Sequence, residues 1–223
     1  MVFQNNLLMG AGGQSDAAYT IDQSCRYNYA DSPNLEKTFT AGDRGQYVQS
    51  LWTKRSDLTT GGEVIMLGAG EDGNNLFVLE WNATDNLVIY SYDGGFDFRL
   101  ETNAVYRDPS AWYHIVFSLD TASGVAAGDR MRLWVNGSEV TSFSTDTNPS
   151  ADYTGGFWGF GGKHWVGARP TTGGGPTDYY RGYIAEVVVL DGQSIQNGDV
   201  AITDFGETSS TTGQWIPKDV SGL

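Results

Sequence analysis

Cleaving a glycosidic bond takes two carboxyl groups facing each other across the sugar, about 5 Å apart in retaining enzymes and up to about 9.5 Å in inverting ones. The strand-like stretches of this chain offer Glu80 in LFVLEW, Asp97 and Glu101 in FDFRLET, and Glu186 with Asp191 in AEVVVLD. Asp97 and Glu101 share a face at i and i+4, but four strand steps separate them by about 13 Å, too far for either geometry. His114 and His164 have no second His or Cys at ligand spacing beside them, so neither points to zinc. His114 reads as a hydrogen-bonded sheet histidine. There is no Gly-x-Ser-x-Gly elbow, and the Gly-rich stretches lack the Lys-Ser/Thr end of a phosphate loop. The chain is not expected to be an enzyme.

Two other chemistries remain. Asp72, Asp93, Asp97, Asp146, Asp152 and Asp178 sit among turn residues, where hard oxygen ligands would suit calcium, although loop aspartates are also ordinary turn formers. No ligand set is assignable, and no other cofactor is expected. The Gly-rich stretch GGFWGFGGKHW, with TDYYRGY after it, places Phe157, Trp158, Trp165, Tyr179 and Tyr180 as candidates to stack on a sugar or anchor a protein. The competing reading has Phe157, Trp158 and Phe160 covering one end of the fold.

These residues must be carried by strands. Thirty glycines, 18% charged residues and 13% aromatics in 223 residues describe many short strands joined by tight turns, and no stretch sustains a helical apolar period. MRLWVNGSEV (131–140) alternates apolar and polar residues up to Asn136-Gly137, the pair that favours a type I′ hairpin turn. Strands are expected at 19–28, 45–55, 63–70, 75–81, 86–93, 96–106, 112–120, 130–137, 139–144, 163–168 and 182–192, with a long loop region between about 145 and 180. The nearly continuous run Ile184 to Leu190 suits a strand buried on both faces, yet Glu186 interrupts it and must face out or find a partner. Residues 1–18 read as an N-terminal arm whose Leu7, Leu8 and Met9 would dock on a neighbour, 19–195 as one domain and 196–223 as a polar C-terminal tail.

Thirteen Lys and Arg against 27 Asp and Glu give a net charge of −14 without any basic cluster, which excludes a nucleic-acid partner. A single cysteine, Cys25, forbids an internal disulfide and is expected as a small core residue. No basic leader and no run of eighteen apolar residues is seen, so neither secretion nor membrane insertion is expected. The sequons at Asn82 and Asn136 read as turns.

The segments WYHIVFSLDTASGVAAGDRMRLWVNGSEV (112–140) and HWVGARP to GYIAEVVVLDGQSI (164–195) resemble laminin-G-like and pentraxin-like modules of the concanavalin A-like lectin and glucanase superfamily. The resemblance rests on Trp112, His114, Val135, Asn136, Gly137, Val166, Gly167, Gly182, Ile184, Glu186 and Val187. It implies an all-β, two-sheet antiparallel jelly-roll sandwich, here with an extended arm and tail, and it is what admits calcium. A narrower likeness, in NNLLMGAGG, YTIDQSCRYN, YRDPSAWYHIVFSLDT, VTSFST, AEVVVLDGQSI and DFGETSSTTGQWIPK, is to virion structural proteins of tailed bacteriophages. This likeness implies a component of the virus particle; with no coiled-coil heptads, repetitive shaft or attachment domain in the chain, the expectation is a non-enzymatic capsid decoration or cement protein on the head surface, held through contacts with capsid or other virion proteins and able to form a homo-oligomer. The alternative is a receptor-recognition module on a tail or fibre that binds host-surface carbohydrate. A glycoside hydrolase of the same superfamily ranks third.

Overall fold

The computed structural model describes residues 19–58, 64–156, 158–171, 173 and 175–223. The strands are β1 (Cys25–Tyr27), β2 (Leu35–Thr38), β3 (Gln46–Arg55), β4 (Val64–Asp72), β5 (Asn75–Trp81), β6 (Asn86–Asp93), β7 (Phe96–Val105), β8 (Tyr113–Asp120), β9 (Met131–Val135), β10 (Ser138–Glu139), β11 (Phe143–Thr147), β12 (Lys163–Val166), β13 (Arg169–Pro170), β14 (Pro176–Thr177), β15 (Gly182–Asp191), β16 (Gly206–Thr208) and β17 (Trp215–Pro217), with one short helix, α1 (Ile202–Phe205). A six-stranded sheet runs β1-β15-β3-β8-β9-β10 and a seven-stranded sheet β11-β7-β6-β5-β4-β12-β2. Every pairing is antiparallel, and the two sheets close as a jelly-roll sandwich.

Period-2 alternation puts Phe77, Leu79 and Trp81 of β5, Leu87 and Ile89 of β6, and Ile115 and Phe117 of β8 into the space between the sheets. All seven are fully buried, and each contributes about 1.5–3 kcal/mol through burial. The hairpin between β9 and β10 turns at Asn136 (φ 50°) and Gly137 (φ 74°), the two positive φ values of the expected turn. Asn82 is likewise a turn residue: its side-chain oxygen accepts the backbone N–H groups of Thr84 and Asn86 at 3.0 and 2.9 Å.

The outer face of the six-stranded sheet is also covered. Val48, Val116, Trp134 and Leu190 pack beneath Val200 and Phe205, so the stretch 196–223, expected as a tail, carries α1 and the β16–β17 hairpin against this sheet. Trp215 of β17 donates its indole N–H to His114 Nδ1 at 2.9 Å. Nδ1 is therefore the acceptor, and Nε2 carries the hydrogen and donates it to Ser50 Oγ at 2.8 Å. Trp52 stacks on the imidazole at 4.6 Å.

Burial pushes the pKa of His114 down to about 3, whereas an unfolded histidine titrates near 6.5. Between those values the unfolded chain binds a proton that the folded chain refuses, so this residue's contribution to stability falls as pH falls. From pH 6.5 to 5 the loss attributable to it is about 2 kcal/mol in urea unfolding. His114→Gln, less stable at neutral pH, should lose correspondingly less over the same interval. An equal loss would place the proton uptake elsewhere.

Three expectations are corrected. Cys25 is exposed on the short edge strand β1, not in the core. The single strand expected at 139–144 is instead the end of β10 in one sheet and the start of β11 in the other, because the chain crosses between sheets there. In β15, Val187 and Val189 are 36% and 41% exposed: β1 pairs only with Gly182–Ile184, leaving the rest of that side without a neighbouring strand among the described residues. Glu186 sits at a β-bulge with φ 47° and accepts the Tyr19 hydroxyl at 2.6 Å. Burial raises its carboxyl pKa.

Candidate functional site

The seven-stranded sheet turns the other side of β5, β6 and β7 outward, and the register arranges that side in three rows. Leu76 lies beside Tyr92 and Phe96, Val78 beside Tyr90 and Arg99, and Glu80 beside Val88 and Glu101. A bulge in β7 shifts the register between Ser91 and Tyr92, which places Phe96 against both tyrosines, with ring centroids 5.5 and 5.2 Å away. The Arg99 guanidinium lies over Phe96 at 4.8 Å and pairs with Glu101 at 2.8 Å. The second Glu101 oxygen accepts the Asn82 side-chain amide at 3.1 Å.

The far wall comes from the β13–β14 hairpin, which lies across β4. Gly68 makes this approach possible, since a Cβ there would collide with the Ala168 carbonyl. Arg169 of β13 is fixed by Asp178, its Nε and Nη2 standing 2.8 and 2.7 Å from one carboxylate oxygen.

Between these walls runs a cleft of about 440 Å³ along β5, from the turn at Gly73-Asn74 to that at Asn82–Thr84. Leu76, Glu80, Tyr90 and Tyr92 line its base, with Phe96, Arg99 and Arg169 at its sides. Glu80 and Tyr90 are buried, and Phe96 is 47% exposed. The volume matches a small organic ligand, and the lining combines aromatic faces with a few convergent polar groups.

The residues expected to bind lie elsewhere. Trp158 packs on Phe77 at 5.2 Å and on His164 at 4.9 Å inside the core. Trp165 is 1% exposed and donates its indole N–H to Glu36 at 2.8 Å. Tyr180 is fully buried, with its hydroxyl on that of Thr53, and Tyr179 donates its hydroxyl to the Pro176 carbonyl at 3.0 Å. Phe157, Leu7, Leu8 and Met9 fall outside the described residues. The glycines of this stretch let the chain close over the end of the sandwich, so Trp158, Trp165 and Tyr180 offer no open ring face to a ligand. Among the described residues of that region, the one lining the cleft is Arg169.

The cleft residues escaped the sequence reading, although Tyr90-x-Tyr92 and Phe96-x-x-Arg99 flank a Gly-Gly turn and so belong to adjacent strands. The loop aspartates serve local roles: Asp72 accepts Asn74 N–H at 2.7 Å, Asp152 accepts Ser123 N–H at 3.0 Å, and Asp146 accepts the Asn148 amide at 2.8 Å. Among the described residues no three His, Cys, Asp or Glu side chains converge on a point that could hold a metal ion. Nor is any described helix long and apolar enough to cross a membrane.

Residues 25–201 match a family model described as the concanavalin A-like lectin/glucanases superfamily. No curated protein matches the sequence. Among solved structures, the K499G mutant of NanB sialidase from Streptococcus pneumoniae is similar with a TM-score of 0.53 and 17% identity, over 83% of this chain and 28% of that one. A native heptameric SAP-like pentraxin from Limulus polyphemus is similar at 0.49 and 18%, over 70% and 69% of the two chains. The CBM40 of Ruminococcus gnavus IT-sialidase is similar at 0.46 and 14%, over 70% and 91%. At 17% identity the likeness to NanB shows the fold alone.

Proposed function

Since the chain belongs to the concanavalin A-like lectin/glucanase superfamily, we propose that it acts as a non-enzymatic module that binds carbohydrate in the cleft on the outer side of its seven-stranded sheet. The observation that carries this reading is the cleft's composition. A sugar offers an apolar C–H face and a ring of hydroxyls; Phe96 and Tyr92 suit the first, and Glu80, Asn74, Asn82 and Thr84 suit the second. Glu101, the other carboxylate on this side, is already held by Arg99 and Asn82, an arrangement that orients a binding wall.

Phe96→Ala tests the reading. The side chain is nearly half exposed, so stability should change by about 1 kcal/mol or less. Affinity for the best ligand on a glycan array should fall about tenfold or more, the loss of a stacking partner and its buried area. Unchanged affinity would remove the cleft as the site.

A virion setting is the second reading, with a head-surface decoration or cement role ahead of a tail or fibre position. What favours it is how three segments that resemble virion proteins, 106–121, 185–195 and 204–218, meet on one side of the molecule. His114 holds Trp215, the Ile195 backbone N–H donates to Ser118 Oγ at 3.1 Å, and Leu190 packs with Phe205. These three segments thus lie together in and on the six-stranded sheet, opposite the cleft. Immunogold labelling of intact particles tests it: regular coverage of a shell supports decoration, a few copies at a tail tip support receptor recognition, and no label removes the virion setting.

A further inference from the structure

We propose that the cleft selects uncharged sugars and discriminates against sugars bearing a carboxylate; this rests on the glycan reading of the cleft. Among the described residues its lining holds three charged side chains, Glu80, Arg99 and Arg169. Each arginine is matched in place by a carboxylate. Arg99 is 2.8 Å from Glu101, whose other oxygen is also occupied by Asn82. Arg169 meets one oxygen of Asp178 through two of its nitrogens, at 2.8 and 2.7 Å. The five groups together carry two positive charges against three carboxyls, in a chain of net charge −14.

A guanidinium has five N–H donors, so Arg99, which gives one of them to Glu101, keeps donors for neutral acceptors such as sugar hydroxyls. The charge of both arginines, however, is already spoken for. An incoming carboxylate would have to break an ion pair, leaving Glu101 or Asp178 unpaired, or lie in a site with no unmatched cation and Glu80 at its base. Either course carries a like-charge and desolvation cost that a hydroxyl avoids.

The test is an array of immobilised oligosaccharides in matched pairs, each neutral backbone beside its carboxylated counterpart, such as galactan with galacturonan and lactose with sialyllactose. The neutral member of any bound pair should bind at least tenfold tighter. Asp178→Asn keeps the side chain's shape and tolerates the φ of 52° at that position, and it removes the carboxylate charge that meets Arg169. That variant should bring the ratio close to one. A carboxylated member that binds the native chain as tightly as its neutral partner overturns the selectivity while leaving glycan binding in place. No binding to either member of any pair overturns the glycan reading itself.

Discussion

Replacing Asp85 with alanine is expected to lower the unfolding free energy by about 3–5 kcal/mol, read as a shift of the urea midpoint at unchanged slope. Asp85 ends the turn between β5 and β6 with φ 68°. Its two oxygens hold Arg55 at 2.8 Å and Arg107 at 2.7 Å. The two arginines differ in kind. Arg55 is 3% exposed, lies over Trp81 at 5.6 Å and also donates to the Tyr106 carbonyl at 2.7 Å. The Arg107 side chain is 59% exposed. Burial alone would raise the Asp85 carboxyl pKa, but the hydrogen bonds from Arg107 and Arg55 hold it below its ordinary value. Alanine therefore strands a buried guanidinium beside the core and also adopts a left-handed backbone that aspartate tolerates better. Arg107→Ala, which breaks an exposed pair, should cost only about 0–1 kcal/mol. Similar losses for the two variants would mean that the buried pair does not organise this end of the sandwich.

Trp158→Ala is the second large effect, a loss of about 3–5 kcal/mol from the cavity left against Phe77 and His164. The contrast with Phe96→Ala separates core from site. At a temperature where both variants are folded, the Trp158 variant should keep its glycan affinity and the Phe96 variant should not. Lost affinity at unchanged stability in the Trp158 variant would return the Gly-rich loop to the site.

These two tryptophan and phenylalanine positions show what the sequence made legible. Strands such as GQYVQSLWTKR and NLVIYSYD were readable because alternation is a local property, and the Asn136-Gly137 turn because its chemistry is confined to two residues. The fold class followed from these. The cleft depends on something no window contains: Glu80, Tyr90 and Arg99 become neighbours only when the β5–β6–β7 register is set, and the bulge at Asp97, just after Phe96, then turns that ring toward the tyrosines. Trp158 and Trp165 misled for a related reason. Aromatics among glycines look like an exposed loop, but Gly159 at φ 78° comes so close to the Asp43 carbonyl that a Cβ would clash, and that close approach buries them. In β5 the reading stopped at an apolar strand, because an isolated Glu80 in LFVLEW does not reveal which side it lines.

The position of β15 has a consequence for how the chain reaches this state. Residues 182–191 fill the place between β1 and β3, so Cys25–Tyr27 have no sheet partner, and one side of β3 none from its own sheet, until a segment more than a hundred residues later arrives. The six-stranded sheet therefore cannot grow in chain order. Closing so long a loop before any pairing reward places folding in the slow regime of β-sandwiches, milliseconds to seconds. During synthesis the exposed side of β3 waits as an open edge, the stage at which this chain is most vulnerable to pairing with another copy of itself.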